Sequence, residues 1–135
     1  MPDLKKINHV AILVRDIDSA LHFWRDQLGL PVDHIEEVPS QSSKVAFLPL
    51  GDVEVELVEP TEPNSGLYKY LEKRGEGMHH LCIEVDDIHK MLAMLKKDRV
   101  RLINEEPLEL PGRKMAFIHP KSANGVLIEL YEIIE

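Results

Sequence analysis

Short apolar runs with two different periodicities alternate along the chain. Residues 7–14 are rich in β-branched side chains and predict a strand. A capping Asp-Ile-Asp-Ser segment and apolar residues at helical spacing follow, and Gly29 is placed to end that helix. Three further strands are then predicted, at 30–38, 44–50 and 53–59. The first part of the chain therefore has the order β-α-β-β-β.

The same order begins again after a polar linker and a short helix predicted at 67–73. Residues 80–85 predict a strand, and Asp87 caps a helix that extends to about Lys97. The pattern then predicts three more strands, at 99–103, 114–119 and 125–133. The second part of the chain repeats the β-α-β-β-β order of the first.

Residue identities support an internal duplication. H-V-A-I-L-V-R-D-I at 9–17 aligns with H-L-C-I-E-V-D-D-I at 80–88, and K-V-A-F at 44–47 aligns with K-M-A-F at 114–117. Two matched segments in the same order favour a true repeat over chance. We therefore predict one domain, 1–135, with module one at about 5–60, a linker and short helix at 61–77, and module two at about 78–135.

Strand alternation places four side chains of the metal-ligand type at matching positions. His9, Glu56, His80 and Glu129 each lie opposite the continuous aliphatic face of their predicted strand, whereas His79 lies on the aliphatic face. A single such residue is ordinarily a solvated or ion-paired side chain at a strand end. Four of them at repeat-equivalent positions favour a site for a divalent ion such as Co²⁺, Mn²⁺, Ni²⁺, Zn²⁺ or Fe²⁺.

Charge and composition restrict the partners. Sixteen Lys and Arg against 24 Asp and Glu give a net charge of −8 with neutral histidines, which disfavours nucleic acids and anionic membranes as partners. The one cysteine, Cys82, excludes an intramolecular disulfide, and we expect it to be a small core or cavity-wall residue. The N-terminal apolar run is too short for a signal peptide or a membrane span, so we expect a cytoplasmic protein.

Several motifs resemble a known family. They are I-N-H-V-A-I-L-V at 7–14, G-M-H-H-L-C-I-E-V-D-D-I at 77–88 and F-I-H-P-K-S-A-N-G-V-L-I-E-L at 117–130. With the paired modules, they are similar to the vicinal oxygen chelate superfamily and, within it, to the methylmalonyl-CoA epimerases. The resemblance implies an α+β fold in which two tandem βαβββ modules form a half-barrel-like curved mixed sheet with an internal metal-binding cavity. It also implies a homodimer.

The resemblance implies a reaction and roles for several residues. Epimerases of this family interconvert (R)- and (S)-methylmalonyl-CoA by moving the α-proton, so we expect a small acyl-CoA substrate. The family's metal ligands fall on the same four residues, His9, Glu56, His80 and Glu129. We expect Co²⁺, with Mn²⁺, Ni²⁺ or Zn²⁺ as alternatives, and Glu129 as an acid/base. Arg113 and Lys121 are the candidates for binding the CoA phosphates.

The sequence departs from the family at one place. Some epimerases carry a catalytic glutamate in the strand after the polar loop, but the matching stretch here is Lys44-Val45-Ala46. The second acid/base is therefore open, with Lys44, Glu37 or a metal-bound water as candidates. The rival functions are a glyoxalase I-type lactoylglutathione lyase, which uses two His and two Glu, and a non-catalytic small-molecule-binding module of the same fold. A dioxygenase is disfavoured because Glu56 would fill a position that oxygen needs.

Overall fold

The computed structural model describes residues 2–135. The first β-α-β-β-β set consists of β1 (Leu4–Leu13), α1 (Ile17–Leu21) with a π-helical turn (His22–Gln27), β2 (His34–Val38), β3 (Ser43–Leu50) and β4 (Val53–Pro60). Helix α2 (Gly66–Arg74) follows. The second set consists of β5 (Gly77–Val85), α3 (Ile88–Lys97), β6 (Leu108–Leu110), β7 (Arg113–Ile118) and β8 (Ile128–Ile133). Short 3₁₀ turns lie at Pro39–Gln41 and Pro120–Ser122.

The chain divides into two compact units, and the division falls inside β1. Val10–His79 form one, called here the central unit, and the residues up to His9 together with His80–Glu135 form the other, the terminal unit. The terminal unit therefore joins the beginning of the chain to its second half. The module boundaries expected from the sequence, at about 60 and 78, remain a prediction.

The central unit has the strand order β2-β3-β4-β1. Strands β2, β3 and β4 are successive antiparallel neighbours, and Phe47 on β3 lies opposite both His34 on β2 and Glu56 on β4. One face of the sheet packs under α1, where Leu21 meets Ala46, Leu48 and Leu57. On the other face Ala11, Leu13, Val45, Val58 and Leu71 form a second buried cluster, with α2 side chains packed against it.

The terminal unit has the strand order β1-β5-β8-β7-β6. β5 and β8 run parallel, whereas β6 pairs with β7, and β7 with β8, in antiparallel fashion. Ile88, Met91 and Leu92 of α3 are buried against Val85, Ala116 and Leu130. The aliphatic faces therefore pack under helices in both units, as alternation predicts.

Each module caps its first helix in the same way. Asp16 accepts a hydrogen bond from the Ser19 backbone N–H, and Asp87 accepts one from that of Lys90. The residue directly after each capping aspartate donates its backbone N–H to a glutamate of that module's last strand. Ile17 N–H donates to Glu59 at 2.8 Å, and Ile88 N–H donates to Glu132 at 2.9 Å. The two glutamates stand three residues after Glu56 and Glu129, so these contacts support the duplication read from the sequence.

Two elements differ from their predicted form. Residues 99–103 are not a regular strand, and only Leu102 makes an isolated bridge, to Ile118. Arg99 has a left-handed φ of 63°, which a strand does not permit, and the third strand of the module is instead β6. The first helix becomes π-helical after Leu21, with Leu28 N–H donating to Phe23 C=O, and ends at Gly29 as predicted.

Among residues 2–135, no helix combines the length and the apolar character that a transmembrane span requires.

Candidate metal centre

Three of the predicted ligands converge within the terminal unit. His9 lies on β1, His80 on β5 and Glu129 on β8. The Nε2 atoms of His9 and His80 are 3.0 Å apart. Glu129 Oε1 lies 3.2 Å from His9 Nε2 and 3.0 Å from His80 Nε2. The structure thus brings one oxygen and two nitrogens together as a nearly equilateral triangle.

These polar side chains are held inside the protein. His9 is 1% exposed and Glu129 is 4% exposed, and the His80 side chain is 12% exposed. The His9 ring lies edge-on to the Tyr131 ring at 5.5 Å, and the His80 ring lies edge-on to that of Phe117 at 5.7 Å. Because aromatic rings fix both imidazoles from the side, their Nε2 atoms remain directed at Glu129.

The donor set suits a divalent ion. A proton on either Nε2 can point at only one of the other two atoms, so hydrogen bonds do not satisfy all three contacts at once. A cation in contact with all three atoms would accept all three lone pairs. First-row ions bind such atoms at about 2.1 Å, which puts neighbouring ligands of an octahedral site about 3.0 Å apart. The observed separations of 3.0–3.2 Å fit this arrangement.

Glu129 has the charge that a metal ligand needs. Burial alone raises the pKa of its carboxyl, but hydrogen bonds and charge from His80 and His9 outweigh burial and lower the pKa to about 2. Glu129 is therefore a carboxylate at neutral pH. In that form it offers only acceptor oxygens.

Cys82 lies next to this cluster. It is fully buried, it is in register with Glu129 on the neighbouring parallel strand, and its Sγ lies within 4.8 Å of the ligand atoms of His9 and Glu129. The sequence predicts Cys82 to be a small core or cavity-wall residue. Because Cys82 is two residues after His80 on β5, strand alternation also places its side chain on the same face as that of His80. The structure adds it as a thiol beside the centre.

Glu56 lies in the central unit. It is half-buried on β4, opposite Phe47 on β3. His34 and Glu36 on β2 lie on the same face of the sheet as Glu56. Lys44 and Glu37 pair with one another across β3 and β2 and lie on the other face. A charge interaction between Lys44 and Asp16, at the start of α1, agrees with that placement. Whether Lys44 or Glu37 acts as the second acid/base stays a prediction.

The two candidate phosphate-binding cations have different surroundings. Arg113 is half-buried with its guanidinium 5.4 Å from the centre of the Tyr131 ring, and its buried Nε has no hydrogen-bond partner within residues 2–135. Lys121 is exposed in a 3₁₀ turn, where its backbone N–H donates to His119 Nδ1 at 3.0 Å. Arg113 thus contacts the same ring that packs on His9, and Lys121 lies at the surface.

Comparison with known proteins identifies the family. Residues 8–117 match the model of the Glyoxalase/Bleomycin resistance protein/Dioxygenase superfamily. The mitochondrial methylmalonyl-CoA epimerase of Mus musculus is 39% identical over 94% of this chain and 72% of its own length. The chain belongs to the methylmalonyl-CoA epimerase family of this superfamily.

Solved structures agree with this assignment. The methylmalonyl-CoA epimerase of Mycobacterium tuberculosis superposes with a TM-score of 0.86 at 34% identity, covering 98% of this chain and 90% of that one. A methylmalonyl-CoA epimerase in complex with methylmalonyl-CoA and NH₄⁺ gives 0.84 at 33% identity, covering 97% and 96%. The predicted α+β fold of the epimerase family is confirmed, and so is the prediction of an enzyme of the isomerase class.

Proposed function

We propose that this protein interconverts (R)- and (S)-methylmalonyl-CoA by moving the α-proton of the substrate. The observation that carries the proposal is the convergence of His9, His80 and Glu129 at 3.0–3.2 Å in a member of the epimerase family. A solved relative named for this activity holds methylmalonyl-CoA itself.

The proposed metal ligands are His9, His80 and Glu129, with Glu56 as the fourth, as the family resemblance implies. Two neutral imidazoles and two carboxylates balance the charge of a divalent ion, and we propose Co²⁺, with Mn²⁺, Ni²⁺ or Zn²⁺ as alternatives. When bound, such an ion stabilises the negative charge that develops on the substrate oxygen as the α-proton leaves.

Glu129 is our candidate for one of the two groups that move the proton. A base must start without a proton, and the lowered pKa of Glu129 keeps the carboxyl ionised. Both histidine contacts use Oε1, so we assign the transferred proton to Oε2. Proton uptake at Oε2 then leaves the contacts of Oε1 in place.

Inversion at the α-carbon requires a second acid/base. The candidates stay those of the sequence, which are Lys44, Glu37 and a metal-bound water.

The substrate phosphates need cations on a chain with a net charge of −8. We propose Arg113 and Lys121, because Arg113 holds a buried, unpaired Nε beside Tyr131 and Lys121 is exposed. A homodimer and a cytoplasmic location remain predictions.

Stereoisomer interconversion tests the function against its nearest rival. Protein loaded with Co²⁺ should convert (S)-methylmalonyl-CoA to the (R) form, and the same preparation should leave the methylglyoxal–glutathione hemithioacetal unchanged. Turnover of the hemithioacetal without epimerisation would assign the chain to glyoxalase chemistry. Binding of either compound without turnover would assign it to the non-catalytic binding modules.

A further inference from the structure

We propose that Asn8 and Glu84 are positioning residues that hold a proton on Nδ1 of the His9 imidazole, so that Nε2 is the ring nitrogen directed at Glu129 and His80. The inference rests on the proposed function only in taking His9 as a metal ligand. Every residue that it uses lies in the terminal unit.

The first step is the contact behind His9. His9 Nδ1 lies 2.6 Å from Asn8 Oδ1, on the side of the ring away from Glu129. An amide oxygen only accepts hydrogen bonds, so the proton of this contact sits on His9 Nδ1. With Nδ1 engaged by Asn8, Nε2 is the ring nitrogen that faces Glu129 and His80.

The second step fixes the direction of the Asn8 amide. Asn8 Nδ2 donates to Glu84 Oε2 at 3.1 Å. A carboxylate accepts only, so the amino end of the amide must face Glu84 and the oxygen end must face His9. A flipped amide would bring its amino group against His9 Nδ1 and its oxygen against the carboxylate. The charge of Glu84 thus selects the amide orientation, and the amide selects the tautomer.

The third step is the consequence at the candidate centre. His9 Nε2 lies 3.0 Å from His80 Nε2 and 3.2 Å from Glu129 Oε1. With a proton held on Nδ1 by Asn8, Nε2 is the ring nitrogen through which His9 would bind a cation. Partners of this kind commonly orient metal-bound histidines, and their loss weakens metal binding by roughly 10–100-fold.

The hydrogen bonds from Glu84 through Asn8 orient His9 and not His80. When the alignment of 9–17 with 80–88 is extended by one residue, Asn8 corresponds to His79 and Leu13 to Glu84. The duplication therefore does not give His80 the hydrogen bonds that link His9 to Asn8 and Asn8 to Glu84. Glu84 lies on β5 four residues after His80 and reaches Asn8 on β1. One strand therefore supplies both a ligand and the end of the chain of hydrogen bonds that orients the other ligand.

The tautomer can be measured on the unaltered, metal-free protein. Long-range ¹H–¹⁵N correlation spectra of ¹⁵N-histidine-labelled protein should show His9 with a protonated Nδ1. A His9→Gln variant assigns the signal. An Nε2–H tautomer for His9 would overturn the inference whatever the protein's activity.

Variants then test the two residues. Asn8→Leu should lower the affinity for Co²⁺ alone by about 10–100-fold in a chelator competition and should mix the His9 tautomers. Glu84→Gln should give a smaller loss, several-fold, because a glutamine can face Asn8 in either orientation. Glu109→Gln is the control, since it removes the same charge at an exposed position of β6.

The outcomes separate this inference from the proposed function. If Co²⁺ affinity and the His9 tautomer depend on Asn8 and Glu84 but no epimerisation occurs, the positioning role of the two residues stands and the proposed function fails. If the protein epimerises and both variants keep the tautomer and the Co²⁺ affinity of the control, the positioning role fails and the proposed function stands. Thermal unfolding of each variant checks that the protein is folded during the measurement.

Discussion

His79 and His80 are adjacent in sequence, yet their rings have different surroundings. His80 Nε2 lies 3.0 Å from Glu129 Oε1, whereas the His79 ring packs edge-on against Tyr70 at 4.8 Å. Strand alternation alone distinguishes the two residues, because successive side chains leave opposite faces. The selection of His80 from the sequence therefore rests on backbone geometry.

Metal content tests this selection at the level of single residues. His80→Ala and Glu129→Ala should each lose most of the bound Co²⁺ in elemental analysis of dialysed protein, because each removes one of three converging ligands. His79→Ala should keep it, since that ring packs on Tyr70. Loss of metal in His79→Ala alone would show that the alternation argument is wrong.

Cys82 provides a second test, because a thiol lies within 4.8 Å of the His9 and Glu129 ligand atoms. If the centre uses imidazoles and carboxylates, Cys82→Ser should change the Co²⁺ affinity by less than about threefold. The wild-type Co²⁺ protein should also lack the near-ultraviolet absorption of a cobalt–thiolate bond. Strong absorption that disappears in Cys82→Ser would make the thiol a ligand in place of a carboxylate.

At the level of elements, α3 depends on caps from two directions. Asp87 accepts from Lys90 N–H, and Glu132 of β8 accepts from Ile88 N–H. These bonds satisfy two of the backbone N–H groups that a helix leaves unpaired at its start. The second also ties α3 to the strand that carries Glu129.

Removal of the strand-to-helix contact should lower stability. Glu132→Ala should reduce the free energy of unfolding by about 1–2 kcal/mol, because a partly buried N–H loses a charged acceptor. Urea unfolding measures the change. Glu109→Ala on the exposed face of β6 should shift the free energy by less than about 0.5 kcal/mol. Equal effects of the two substitutions would show that the contact adds nothing.

The Asp16 cap makes part of the stability dependent on pH. Hydrogen bonds from the backbone N–H and the hydroxyl of Ser19 lower the pKa of the Asp16 carboxyl. A lowered pKa in the folded state stabilises the fold above the unfolded value of about 3.9 and stops doing so as the pH falls through the folded value. Asp16→Asn should therefore flatten the loss of stability between about pH 5 and pH 2, as urea midpoints would show. If the stability of Asp16→Asn fell as steeply with decreasing pH as that of the wild-type protein, the result would contradict this role.

Most elements follow from the sequence because their apolar periodicity matches their packing. The exception at 99–103, R-V-R-L-I, contains two β-branched residues, Val100 and Ile103, of the kind that strands favour. The backbone there runs irregularly beside β7: Ile103 N–H and Asn104 N–H both donate to Phe117 C=O, and His119 N–H donates to Arg101 C=O. Two residues against one make a bulge, and composition does not reveal a bulge.

At the level of the whole molecule, the convergence of three candidate ligands could be predicted, but the contacts that support them could not. The duplication and alternation place His9, His80 and Glu129, since both depend only on order along the chain. The contact of Asn8 with Glu84 joins residues 76 positions apart and depends on side-chain conformations. The same limit applies to the Arg113 guanidinium over Tyr131.

Metal binding should stabilise the whole fold, because the three ligands come from β1, β5 and β8. At a free Co²⁺ concentration 100 times the dissociation constant, the gain is about 2.7 kcal/mol, or about 10 °C in Tm for a domain of this size. Differential scanning calorimetry with and without Co²⁺ measures it. His80→Ala should show little shift, and an equal shift in that variant would place the ion elsewhere.

The most direct test of the account is α-proton exchange in D₂O. The protein is loaded with Co²⁺ and incubated with (S)-methylmalonyl-CoA, and deuterium at the α-carbon is followed by NMR. We predict incorporation into both stereoisomers by the wild-type protein and strong loss of incorporation in His80→Ala. No incorporation by folded, metal-loaded wild-type protein would contradict the proposed epimerase activity.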